Sequence, residues 1–468
     1  MQVQRFLTPG SDTETALEAG RDIRTVLRRG EHGELALPPH RDPIAVIEKT
    51  HSTRIADLIG VRVARMTQSV YAYFRGTVDV MTGDLAAGPR TGVHIVIDAD
   101  AHLGNFGLYA SPERRIVFDL NDFDEAGVGP WEWDIKRLAT SLALVQRSKG
   151  VPTEIINDDI VALVTTYATY LRTLVEARAT DRYFASVDAG WFSSGGTRVL
   201  NKTVEKARQR TSEQALDRIG MRHEESGRLV LKADPPLLIP RSEKGLANAA
   251  RRFEDYRYTL LTDRALLLSQ YRVNDAARRV VGVSSVGTHC SIVLLQGPNG
   301  EPLILQSKEA LPSVLETQAG ITQADMPGVI TCGADTDQRD RYCRRVTEGQ
   351  RVLQATSDPF LGRTVDPDGR NHYWRQFRDH KGSVDLGKAT PHEVRMYSAL
   401  CAQLLARAHA QSPDAAAASG YLGGSGGGFT HAIAAWAAAY ADVIEGDFRV
   451  FTEAVNDGQF PLTEENPA

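Results

Sequence analysis

Two short apolar runs, Val93–Asp98 (VHIVID) and Arg115–Phe123 (RIVFDLNDF), each lead straight into carboxylates. β-Branched and aromatic residues in runs of this length read as buried strands. Charged groups at the ends of buried strands persist only when something compensates them. The first run opens onto Asp98, Asp100, His102 and Asn105 in IDADAHLGNFG. The second opens onto Asp119, Asp122, Asp124, Glu125 and Asp134 in FDLNDFDEAGVGPWEWD. Left bare, these carboxylates would repel one another. A divalent cation removes that cost, and hard oxygen donors suit magnesium. Loops that follow strands are where a rigid scaffold presents reactive groups. The chain is therefore expected to build a metal and phosphate centre between Ile97 and Asp134.

The remaining pattern mixes helices and strands. The first forty residues are polar and rich in Gly, Pro and charge, and read as a poorly ordered lead-in. Helical periodicity follows in IADLIGVRVARM and YAYFRGTVDVM, and again from Trp133 to about Val175. Residues 197–277 read as mostly helical and highly charged, interrupted by Pro235, Pro236 and Pro240. From Arg279, the runs RVVGVSSVG, CSIVLLQG and EPLILQSKEA predict an antiparallel three-strand meander. A helix in DQRDRYCRRVTEGQRVLQATS, a strand in NHYWRQFRDHK and helices to Phe451 complete the chain. GYLGGSGGG reads as a flexible loop.

Composition narrows the function classes. The 468 residues are 42% hydrophobic and 24% charged with a formal net charge of -5, so no basic field points to nucleic acid or an anionic membrane. The N-terminus lacks a signal-peptide pattern, and no apolar run is long enough to cross a bilayer. Cys290, Cys332, Cys343 and Cys401 form no CxxC pair, which fits a reducing cytoplasm rather than zinc or disulfides.

The acidic segment resembles the small-molecule kinases of the aminoglycoside phosphotransferase type, within the protein-kinase-like fold. Asp100-Ala-His102-Leu-Gly-Asn105 matches their DxHxxN, and Asp122 and Asp134 match the later aspartates. The resemblance implies that Asp100 is the base that orients or deprotonates an acceptor hydroxyl. It implies that Asn105 and Asp122 hold magnesium over ATP phosphates, with Asp119 and Asp124 as rival ligands. His102 joins the catalytic loop, and Asp134 anchors it. Asp98-Ala99 departs from the family's His-Gly.

Such a site also needs a phosphate cover and a strand lysine. Gly282-Val-Ser284-Ser285-Val-Gly287 joins two strands, and Lys308 lies on the third. Backbone N–H groups of a Gly-rich turn approach phosphate closely, and a lysine adds a point charge. Because a strand follows the turn, this is no dinucleotide fingerprint, which must open a helix. By the same resemblance, Glu348 pairs with Lys308, and the backbone at Gln376, Phe377 and Arg378 meets the base. The catalytic loop thus precedes the Gly-rich lobe, the reverse of the ordinary order. LLARAHAQS resembles the helix that normally enters the catalytic loop. The expected fold is α+β, two-lobed and circularly permuted. After the lead-in (1–40) come a helical catalytic lobe (41–277), a small β-rich nucleotide lobe (278–387) and returning C-terminal helices (388–468).

Over almost its whole length the sequence also resembles the bacterial family called domain of unknown function 2252. The resemblance rests on Arg65-Met66, YFRG, DAHLGNFG, FDLNDFDE, PWEWDIKRL, VVGVSSVG, LQSKEA, EGQRVLQ, RQFRDHKGSV, LARAHA and GYLG. That family supplies little chemistry. The expected activity is ATP- and magnesium-dependent phosphotransfer to a small-molecule hydroxyl, with an acceptor pocket between Asp100 and residues 150–270. Alternatives are nucleotidyl transfer, a metal-dependent hydrolase on Asp98, Asp100, His102, Asp119 and Asp122, and a non-catalytic nucleotide sensor. Arg65, Arg75, Lys136 and Arg137 read as structural partners of the carboxylates, the alternative being that Arg75 or Arg137 binds an acceptor or stabilises the transferring phosphate. Trp131 and Trp133 read as core.

Overall fold

Thirteen strands follow in chain order among the described residues: β1 (His94–Ile97), β2 (Phe106–Ala110), β3 (Ile116–Leu120), β4 (Gly127–Pro130), β5 (Gly220–Arg222), β6 (Leu229–Leu231), β7 (Leu238–Pro240), β8 (Arg272–Arg279), β9 (Cys290–Gln296), β10 (Pro302–Glu309), β11 (Gly362–Val365), β12 (Asn371–Gln376) and β13 (Gly382–Ser383). The computed structural model describes residues 12–187, 198–209, 212–223, 228–280, 282–323, 338–377 and 381–463. All named pairings are antiparallel, and the fold is mixed α+β.

The largest sheet has the order β11-β12-β10-β9-β8-β7. Its middle is the expected meander, but the first strand lies earlier than expected. Residues 272–279 are a strand where the sequence reads as helix. RVNDAARR is rich in Ala and Arg, which favour helix. Pairing along β9, through a bulge between Val273 and Asp275, overrides that preference. The predicted helical region 197–277 also contains β5, β6 and β7.

The two acidic turns sit in small ribbons. β1 pairs with β4, and β2 pairs with β3 and β13. Helices Trp131–Arg147, Thr153–Glu176, Pro391–His409 and Gly428–Asn456 bury one continuous core, including Ile135, Leu138, Tyr167, Leu404 and Tyr440. The predicted run from Trp133 breaks at Gly150, whose φ of 70° suits glycine, just before Pro152. Trp131 lies in this core, stacked on Tyr167 at 6.2 Å, as the sequence indicates.

Two expectations about loose segments change. Thr13–Asp22 is a helix, N-capped by Asp12, where a disordered lead-in was expected. Gly420 belongs to the Ala415–Leu422 helix rather than to a flexible loop. The two helices touch backbone to backbone. A Cβ at Gly20 would stand 2.0 Å from the Ala417 carbonyl oxygen, and one at Gly420 would stand 2.2 Å from the Leu17 oxygen. Composition cannot reveal such a contact, because it reads glycine as looseness. Gly420→Ala should therefore cost about 2 kcal/mol by overpacking, read as a lower urea midpoint. A neutral result would show that this contact is not tight.

Among the described residues no helix is long and apolar enough to cross a membrane.

Candidate functional site

The loop after β1 is held from behind by Asp134, in the first turn of the Trp131–Arg147 helix. Its carboxylate accepts the backbone N–H groups of Asp98 and Ala99, each at 2.8 Å. His409 Nε2 lies 3.0 Å from the same carboxylate, and its Nδ1 lies 2.7 Å from the Tyr167 hydroxyl. With Nε2–H donating to the carboxylate, Nδ1 accepts from Tyr167, which fixes one tautomer. The anchored backbone turns through Ala99 at a φ of 61°, a left-handed conformation that costs a non-glycine residue about 1–2 kcal/mol. That strain is imposed by the bonds on either side.

Asp100 projects from this turn and is 9% exposed. Its Oδ1 lies 2.9 Å from Arg137 Nε and 2.7 Å from Nη2. Burial pushes its carboxyl up to about 6, against the pull of Arg137. Arg137 also covers the Phe74 ring and donates to the Phe74 carbonyl, so the pair is fixed in the core. His102 Nε2 is 3.9 Å from Asp100 Oδ2, too long for a hydrogen bond. Burial, then Arg75 and Arg137, holds the His102 imidazole well below its usual range, so it is neutral.

Asn105 ties the two acidic turns together. Its Nδ2 donates to Asp98 Oδ2 at 3.0 Å and to the carbonyls of Asp122 (3.2 Å) and Asp100 (3.3 Å). This turns the amide oxygen away from those three acceptors. Burial, then Asp134 and Asp100, raises the Asp98 carboxyl well above its usual range. The second turn sorts the rival aspartates. Asp119 accepts from the N–H groups of Leu120 and Ala355 and supports the backbone. Asp124 accepts from Lys308 and, at 2.7 Å, from the Tyr373 hydroxyl. Asp122 Oδ1 is 3.6 Å from Lys308 Nζ and has no hydrogen-bond partner. Burial would raise Asp122, but Lys308, Arg375 and Lys381 hold it below the usual carboxylate range.

Lys308 is 1% exposed and stands on the third meander strand, as expected. Burial opposes its charge, yet Asp122 and Asp124 keep it protonated. Its partner is not Glu348. That residue pairs with Arg351 at 2.6 Å and reaches toward Arg363 at 3.9 Å. The Arg341–Leu353 helix presents Arg345 to the site instead, and Arg345 donates to the carbonyls of Asp124, Ala126 and Leu311. Asp124 thus takes the role expected of a helix glutamate.

The Gly-rich turn has both glycines at positive φ, 70° at Gly282 and 93° at Gly287. Arg65 donates to the Gly282 carbonyl, and Ile55 donates to that of Gly287 at 2.8 Å. Ser284, Ser285, Arg54, Asp124 and Glu125 line a cavity of about 220 Å³ beneath the turn. Among the described residues, none from 150–270 lines it. The expected base contact also changes. The Gln376 N–H donates to Asp358 at 2.6 Å and the Phe377 N–H to Ile304 at 2.9 Å, while Arg378 lies outside the described residues.

Sequence reading missed Arg375 and Lys381. Both act electrostatically on Asp122, and Arg375 donates to the Asn121 carbonyl at 3.0 Å. Burial and Arg375 lower Lys381 to about 7. Both lie in RQFRDHKGSV, whose charges alone do not say which acidic turn they meet.

Glu125 gives a pH test. Burial raises its carboxyl from the usual 4.5 to about 7, although Arg345 opposes this, and Oε2 accepts the Val314 N–H at 2.8 Å. A folded-state pKa above the unfolded one stabilises fully below the unfolded value and is lost as pH rises through the folded value. Glu125→Gln should therefore be more stabilising at pH 8 than at pH 5, by about 2.5 kcal/mol. Equal urea midpoint shifts at both pH values would contradict it.

The donor set bears on the metal. Among the described residues, no group of three or more His, Cys, Asp or Glu side chains is placed to hold an ion. The five hydrolase candidates do not converge, since Asp119 faces the backbone of Ala355. Magnesium asks for less, because it uses one or two carboxylates with water and substrate phosphates. The Asp122 oxygen, which pairs with Lys308 at 3.6 Å without a hydrogen bond, and the Asn105 amide oxygen fit that smaller requirement.

Comparison with curated proteins and with solved structures returns no match. A family model described as an uncharacterised protein conserved in bacteria, DUF2252, matches residues 54–454. That match spans most of the chain, and the protein belongs to the DUF2252 family.

Proposed function

We propose that this chain is an ATP- and magnesium-dependent phosphotransferase acting on a small-molecule hydroxyl. The observation that carries the reading is the Asp134 carboxylate capping the N–H groups of Asp98 and Ala99 behind Asp100, with Asn105 joining that loop to Asp122. Opposite stands Lys308, on a strand reached through a Gly-rich turn. These are the parts that position phosphates and an acceptor in kinase-like sites. The permuted order is supported by the end of the Pro391–His409 helix. His409 bonds Asp134, and Ser412 accepts the Val96 N–H at 3.0 Å, so the two segments meet at β1.

Asn105 and Asp122 would hold magnesium, which neutralises charge on ATP phosphates when bound. Lys308, Arg375 and Lys381 supply cationic groups around Asp122. The acceptor oxygen forms a bond to the terminal phosphorus as the bond from that phosphorus to the bridging oxygen breaks. Its proton passes to Asp100, and ADP leaves.

Thermal shift with ATP, with and without magnesium, tests the reading, because a ligand of the native state raises the melting temperature. Lys308→Met should reduce that shift at least tenfold in ATP concentration, and it should destabilise the free protein by about 3 kcal/mol through the stranded aspartates. No ATP shift in the wild type would remove the reading. A second reading, a nucleotide sensor without turnover, is favoured by Arg137 holding the Asp100 carboxylate. ATP binding with no phosphate transferred to any hydroxyl compound would select it.

A further inference from the structure

Phosphotransfer from ATP requires a place for the base, and two surfaces near Lys308 are already taken. Ile304, Gln306 and Lys308 alternate onto one face of β10, opposite Leu294, Ile292 and Cys290 of β9. Beside Lys308, Gln306 is bonded to Arg375 and to Cys290. Beyond it, Ile292, Leu294, Ile304 and Phe377 are packed under Ile219 at the end of the Ser212–Ile219 helix and Leu229 and Leu231 of β6. Among the described residues, this sheet face therefore offers no slot for a planar base. The N–H groups of Gln376 and Phe377 are also committed.

A cavity of about 380 Å³ borders the same cluster from another side. Arg375 and Lys381 line it, and both act on Asp122. Asn121, Gln350, Gln354 and Phe360 line it too. The volume lies within the range of small-ligand pockets. The amide pair is uneven. Gln350 Nε2 donates to Gln354 Oε1 at 2.9 Å, and Gln354 Nε2 donates to the Leu120 carbonyl at 2.7 Å. Gln350 Oε1 is left buried with no partner in the protein, on a side chain 3% exposed. Such an acceptor is costly unless a ligand or water donates to it.

We propose that this cavity receives the nucleobase, with an exocyclic amino group donating to Gln350 Oε1 and the phosphates running past Arg375 and Lys381 to Asp122. The ligand class is an adenine nucleotide, and the inference rests on the phosphotransferase reading. A 6-oxo purine would set its carbonyl oxygen against the Gln350 oxygen, so inosine triphosphate binds more weakly than ATP.

The test uses the full chain and three measurements. Titration with ATP and inosine triphosphate should give at least a tenfold preference for ATP, and Gln350→Leu should abolish that preference. Leu267→Trp fills the cavity from a side chain that is 43% exposed, so the fold tolerates it, and ATP affinity should fall at least tenfold. Photolabelling with 8-azido-ATP should mark peptides containing residues 109–114, 263–267 or 350–360. Label on 216–231 or 277–294, or unchanged ATP affinity in Leu267→Trp, overturns the location while leaving the phosphotransferase reading standing. Absence of any ATP binding to the wild type overturns both.

Discussion

Replacing Asp100 by asparagine should cut phosphoryl transfer by about a thousandfold, the scale of a lost general base. Asparagine keeps the shape but cannot take the acceptor proton. The variant also leaves Arg137 facing a neutral amide in the core, which should cost about 3 kcal/mol of stability. Binding separates the two effects. Asp100 borders neither cavity, so the ATP-induced thermal shift should survive in the folded variant. Turnover above a tenth of the wild-type rate would remove Asp100 from the reaction. Loss of the ATP shift as well would assign Asp100 to structure alone.

The largest stability effect should come from Asp134→Asn. The carboxylate now satisfies two backbone N–H groups and the His409 ring at once. An amide can offer only one oxygen and would aim its own N–H groups at a donor. Hydrogen bonds to charged acceptors contribute about 1.5–3 kcal/mol each, so the loss should reach about 4 kcal/mol. Urea unfolding checks the magnitude. Hydrogen exchange checks the place, since the Asp98 and Ala99 amides should lose protection before the Thr153–Glu176 helix does. A loss under 1 kcal/mol would mean that the loop holds its turn without the anchor.

The residues whose placement is legible in the sequence are those whose geometry is local. Asp100, Asn105 and Asp134 sit at short spacings that a strand, a turn and a helix start convert into fixed positions. Lys308 was legible because alternation along a strand sets its face. Its partner was not. Whether Glu348 or Asp124 reaches Lys308 depends on how the Arg341–Leu353 helix is rotated against the sheet. Arg345, three positions before Glu348, takes the facing position. Arg375 and Lys381 were hidden for a similar reason, since a charged strand next to Gly382 carries no mark of which acid turn it meets. The cover supplied by Ile219 and β6 was invisible because LVL is too short a run to declare a partner. The segments misread as loose, Thr13–Asp22 and Gly420, are ordered by one backbone contact between opposite ends of the chain.

The bonds from Asp134 to His409 and from Val96 to Ser412 also set a timetable for biosynthesis. The loop after β1 is translated early, but the groups that lock it emerge nearly three hundred residues later. The six-stranded sheet leaves the ribosome in between and can pair first, since β8, β9 and β10 are sequential neighbours. A nascent chain that stops before residue 409 therefore carries a formed sheet and an unlocked loop with its apolar helix faces uncovered. Such a product exposes apolar surface to chaperones and proteases, and the loop reaches its locked form only when the last helices are released.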